Sequence, residues 1–99
     1  MTVSDTAGPA GDLFRRSSEV DETRVGDRVV LYHTRDGGAF VLNPTASLLW
    51  GRLATPCGIG DLAAQLCGAF PTLPEQRAIA DARACVTELQ GKGLVVAGV

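Results

Sequence analysis

The chain reads as α+β, with a three-stranded antiparallel meander in its first half and three helices in its second. Between Ser18 and Leu42, short runs rich in β-branched residues alternate with Gly and Asp turns, which is the punctuation of strands. From Asn43 onward the apolar residues recur at the spacing of a helix face. A length of 99 residues adds a bound: one core of modest size, and no second one.

Residues 1–17 hold Gly, Ser, Thr, Pro and Asp without periodicity, so they are expected to form a disordered tail, with 18–99 as the folded domain. Phe14, Arg15 and Arg16 fall at the solvated end of that tail. Glu19 to Val25 make a polar, weakly alternating first strand that stops at Gly26-Asp27. Arg28 to Thr34 is the strongest β segment, with Val29, Val30, Leu31 and Tyr32 in succession. Asp36-Gly37-Gly38 offers the positive-φ positions of a tight hairpin. Ala39, Phe40, Val41 and Leu42 return as the third strand, and His33, beside the hairpin, is expected to face solvent. Such a meander needs a layer over one face to be stable.

The helices supply that layer. Asn43 is a good N-cap and Pro44 a good first helical residue, and Ala46, Leu49, Trp50 and Leu53 share one face. Thr55-Pro56-Cys57-Gly58 ends the first helix. Ile59, Leu62, Ala63, Leu66, Cys67 and Phe70 form the apolar face of the second, which Pro71 stops. Thr72 and Glu75 have the spacing of a capping box for the third, whose Ala78, Ile79, Ala82, Cys85, Val86 and Leu89 point inward. Gly91 or Gly93 ends it, and Leu94-Val95-Val96 closes the chain as a short strand or extended tail. The short turns between helices give this plan a winged helix-turn-helix-like outline.

Composition excludes several functions. Nine basic and eleven acidic residues leave a net charge of −2, which gives no basic face for nucleic acid. No apolar run reaches the roughly 18 residues of a membrane helix, and residues 1–11 lack the pattern of a secretion signal. Three cysteines and one histidine, without a C-x-x-C pair, do not make a zinc site, so neither metal nor cofactor is expected. The odd count fits reduced thiols in a cytoplasm. Cys67 and Cys85 are expected in the core and Cys57, in a Pro-Cys-Gly turn, at the surface. No nucleophile–base pair, phosphate-cradling loop or ordered carboxylate pair is present, which favours a non-catalytic binding module.

The joint between the third strand and the first helix is the most informative stretch: Val41-Leu42-Asn43-Pro44-Thr45-Ala46-Ser47-Leu48-Leu49-Trp50. It resembles the signature of the PqqD-like family, stand-alone recognition proteins for ribosomally made, post-translationally modified peptides. Ile59-Gly60-Asp61-Leu62-Ala63-Ala64-Gln65-Leu66 is similar to that family's second helix, and Asp81 with Val86, Leu89, Gly93 and Leu94 to its closing pattern. The likeness covers residues 18–96. The chain departs from it at Gly58, where the family usually has a Ser or Thr cap, and carries Gly51 and Gly68 inside helices, where close helix packing is expected.

The resemblance implies that a precursor's leader segment adds as an antiparallel strand to the third strand, beside the third helix. Ala39, Phe40, Val41 and Leu42 contain neither Pro nor charge, so nothing in them blocks an added strand. About four new backbone hydrogen bonds contribute roughly 4 kcal/mol. Ordering about six leader residues costs roughly 6–12 kcal/mol, so apolar anchors worth about 1.5–3 kcal/mol each must carry the affinity. The small residues Ala78, Ala82 and Cys85 are expected to leave room for them, with Asp81 on the same helix and Arg77 and Arg83 available to acidic leader residues. The implied partners are a leader peptide and a maturation enzyme, either a lasso-type peptidase or cyclase or a radical-SAM enzyme. A small winged-helix DNA-binding regulator is the alternative, opposed by a third helix in which Glu75, Asp81 and Glu88 balance Arg77, Arg83 and Lys92.

Overall fold

The computed structural model describes residues 13–98, and regular structure begins earlier than the composition suggests. Strand β1, Phe14–Arg16, pairs antiparallel with β5, Val95–Ala97, so the tail expected to run to residue 17 is corrected for its last residues. Residues 1–12 of that tail lie outside the described residues. Phe14 also exchanges backbone bonds with Cys57, its N–H donating at 2.8 Å and its carbonyl accepting at 3.1 Å. Three residues whose partners are far along the chain carry no periodic signal, which is why composition hides this strand.

The meander follows as expected: β2, Val20–Val25, β3, Arg28–His33, and β4, Ala39–Val41, lie in the order β2-β3-β4. Gly37 supplies the hairpin's positive φ of 76°. Val29, Leu31 and His33 alternate onto the buried face of β3. His33 is therefore 7% exposed, correcting its expected solvent position. Its ring lies against Gly93, and its Nδ1 accepts from the Asp36 N–H at 3.3 Å.

Three helices cover that face: α1, Pro44–Arg52, α2, Ile59–Ala69, and α3, Glu75–Gly91. Asn43 caps α1, its Oδ1 accepting from the Ala46 N–H at 2.7 Å. Gly58 precedes α2 without a side chain to offer, but Asp61 Oδ2 accepts from its N–H at 2.9 Å and places a carboxylate in the first turn. Thr72 does not cap α3: extended Pro74 is the N-cap and Glu75 the first helical residue, which leaves Glu75 too early for a capping box. A Cβ at Gly51 or Gly68 would meet nothing within 4 Å, so the expected close helix packing is absent there.

α3 ends in a Schellman motif. Gly93 at φ 74° donates to the Gln90 carbonyl at 3.0 Å, and Leu94 to that of Leu89 at 2.9 Å. The core runs from Val29 and Leu31 through Leu49, Trp50, Leu53, Leu62 and Leu66 to Val86, Leu89 and Leu94. Cys57 belongs to it at 1% exposure, because its bridge to Phe14 pulls the turn inward, whereas Cys67 and Cys85 are only partly buried. The three expectations for the thiols are thus corrected by degree of burial.

Trp50 is held from two sides. Its Nε1 donates to Glu22 Oε1 at 2.9 Å, and the Arg16 guanidinium carbon lies 4.5 Å from the ring centroid. Arg16 also donates twice to the Trp50 carbonyl, at 2.6 and 3.1 Å, satisfying a helix-end acceptor that has no partner in α1.

Candidate functional site

Among the described residues β4 is an edge of the meander sheet, bonded to β3 on one side. Leu42 N–H donates to the Val29 carbonyl at 2.9 Å and His33 N–H to that of Gly38 at 2.8 Å. In an antiparallel pair bonded residues alternate, so Gly38, Phe40 and Leu42 spend their polar groups on β3. Ala39 and Val41 turn theirs toward the open edge. Side chains alternate too: Leu42 is buried and Phe40 half-buried on the core side, while Val41 is 59% exposed on the outer side.

Beside the open edge lies a groove of about 280 Å³. One wall is Ala39, Phe40, Val41 and Leu42, and the other is the last turns of α3, with Cys85, Glu88, Leu89 and Lys92. Asn43 and Ala46 complete the lining, placed there by the turn into α1. Phe40, Leu42, Ala46 and Leu89 give the groove an apolar bed. Burial, reinforced by the nearby Glu88 carboxylate, pushes the Cys85 thiol up to about 11, so it faces the groove as a neutral, weakly polar group. Lys92 Nζ sits 5.8 Å from the Phe40 ring centroid and 2.8 Å from Glu88 Oε2.

The structure brings together five of the nine residues singled out from the sequence: Ala39, Phe40, Val41, Leu42 and Cys85. Ala78 and Ala82 are fully buried in the core and offer a ligand no surface. Arg77 and Asp81 pair with each other, Nε to Oδ1 at 3.4 Å, away from this groove. Arg83 lies with Ile79 and Ala80 along a different hollow of α3. Asn43, Ala46, Glu88, Leu89 and Lys92 line the groove and were not expected there. Continuing the helical spacing from Cys85 through Glu88 and Leu89 to Lys92 would have found the α3 wall.

Among the described residues no group of His, Cys, Asp and Glu is arranged to hold a metal ion, and no helix is long and apolar enough to cross a membrane. What the site offers is backbone donors and acceptors beside apolar side chains, the chemistry of holding an extended peptide.

The model of the family described as coenzyme PQQ synthesis protein D (PqqD) matches residues 28–95. Two solved structures are similar. TbiB1 in complex with the TbiA(beta) leader peptide superimposes with a TM-score of 0.75 at 23% identity, over 82% of this chain and 93% of that one, and supports the fold alone. Lasso peptide synthetase B1 complexed with the leader peptide gives a TM-score of 0.73 at 29% identity, over 84% of this chain and 96% of that one. No curated protein sequence matches the chain.

Proposed function

The chain belongs to the PqqD family, and from that premise we propose that it captures the leader segment of a ribosomally made precursor peptide and presents it to a maturation enzyme. The open edge of β4, beside a groove with an apolar bed and polar rim, carries this reading. The leader adds antiparallel to β4, exchanging backbone bonds with Ala39 and Val41, the two residues whose N–H and C=O groups face outward. Its inward side chains rest against Phe40, Leu42 and Leu89 and beside Cys85. Backbone pairing sets direction and register, and the apolar contacts carry the affinity.

The protein itself performs no covalent step in this reading; it raises the local concentration of the precursor at an enzyme that does. Lasso peptide synthetase B1, named as a complex with the leader peptide, supports a lasso-type pathway, in which the maturation enzyme is a leader peptidase or a cyclase. A radical-SAM partner is the other class the family accommodates. Three unpaired thiols fit a reducing cytoplasm.

The test is Val41→Pro. The Val41 N–H is not part of the β3–β4 ladder, so proline leaves the sheet bonded while removing one outward donor and obstructing an incoming strand. Fluorescence anisotropy with labelled leader peptides is expected to show binding weakened by at least about tenfold, with the circular dichroism spectrum unchanged. Equal binding by a folded Val41→Pro protein would refute strand addition.

A further inference from the structure

Lys92 is the chain's single lysine and stands at the C-cap of α3. A lysine at a helix C-cap is free to extend into solvent, yet this ammonium lies over the Phe40 ring at 5.8 Å, at the β4 wall of the groove. Its side chain is 35% exposed, whereas Glu88, the carboxylate that neutralises it at 2.8 Å, is 70% exposed. The cation is thus held in the groove, and the anion is the member of the pair that can leave.

Resting on the strand-addition reading, we infer that Lys92 reads a carboxylate in the bound peptide, and that Glu88 stands in for that carboxylate while the groove is empty. β4 runs Ala39–Val41 and continues through Leu42 into Asn43, and Lys92 meets it at Phe40, in the first half of that run. A strand added antiparallel places its C-terminal half beside Phe40 and Lys92 and its N-terminal half beside Asn43 and Ala46. The ligand class is therefore an extended peptide with apolar inward residues followed, toward its C-terminus, by an Asp or Glu. When that peptide enters, its carboxylate takes the Lys92 ammonium and Glu88 swings into water, where an exposed carboxylate is well solvated. The new pair forms in a groove from which the peptide has excluded water, where a charge-assisted bond is stronger than at an open surface. Arg77 and Arg83, the cations that sequence spacing suggests, do not line this groove.

The test uses the full chain and peptides selected on it from a display library of short random sequences. Selected peptides are expected to share an Asp or Glu at one position C-terminal to their apolar residues. Replacing that acid by its amide should weaken binding to the unaltered protein by roughly tenfold, as for a hydrogen bond to a charged group. Lys92→Gln should bind acid and amide peptides equally, Lys92→Glu should prefer a peptide with Lys at that position, and Glu88→Gln should bind the acidic peptide more tightly. Undiminished binding of the amide peptide to Lys92→Gln controls for folding. If the unaltered protein binds acid and amide peptides alike, or if Lys92→Gln keeps the tenfold preference, the inference is wrong. Strand addition would then still stand or fall on Val41→Pro, which must weaken both peptides together.

Discussion

Gly93 shows how much one residue can decide. It holds a φ of 74° and lies against His33, whose Nε2 would be 3.1 Å from a Cβ placed there. A side chain at this position meets both backbone strain and a buried ring. Gly93→Ala is expected to destabilise the fold by about 1–3 kcal/mol in urea unfolding. Adding His33→Ala should recover the steric part and leave the backbone part. His33 itself was legible in principle: it shares the parity of Val29 and Leu31, both on the core side of β3. Its polarity and the neighbouring hairpin suggested solvent instead, because the glycine that makes room for it is distant in the chain. Cys85 gives a second residue-scale expectation. Its thiol is raised to about 11 in the folded state, so the folded protein keeps a proton that an unfolded chain releases nearer the usual thiol value. The resulting stability is full below the ordinary thiol range and is lost as pH rises toward 11, which thermal melts across that window would register. Alkylation of Cys85 at pH 8 should be slow and should slow further when a peptide fills the groove, with Cys67, outside it, as the internal reference.

At the scale of elements, the local signals succeeded where a single segment carries them. The β3–β4 hairpin, the Asn43-Pro44 start of α1 and the apolar face of α2 each declare themselves within a few residues. What stayed hidden depends on distant partners. β1 is a strand only because β5 and Cys57 bond to it, and the α3 wall of the groove is set by where β4 passes. Ala78 and Ala82 have the small size a groove wants, yet the same smallness lets them lie in the core. β1 also fastens α1 through Arg16, which stacks on Trp50 and donates to its carbonyl. Arg16→Ala leaves that helix-end carbonyl short of a partner and removes the cation from the ring face, so a loss of about 1–3 kcal/mol is expected in urea unfolding. Arg16→Lys should recover part of the stacking but not both donor bonds. Peptide affinity should be unchanged in both variants, since Arg16 contributes nothing to the groove.

Across the whole molecule, the two sheets divide the work. The meander with α3 frames the groove, and the β1–β5 pair closes the fold without lending it a residue. The family match, residues 28–95, accordingly takes in β4 and all three helices and leaves β1 out. The antiparallel register sets Phe14 opposite Ala97, and the Gly98 N–H donates to the Leu13 carbonyl at the outer end of the ladder. The chain therefore enters and leaves the fold at one point, β1 running away from it and β5 running back to it. Tension applied through the two ends would load these hydrogen bonds one after another, as a zipper, and not all at once in shear. On the proposed reading, a peptide paired with β4 and pulled lengthwise would instead load a strand that β3 holds along its length. The fold is thus mechanically soft at the β1–β5 ends and stiff along β4.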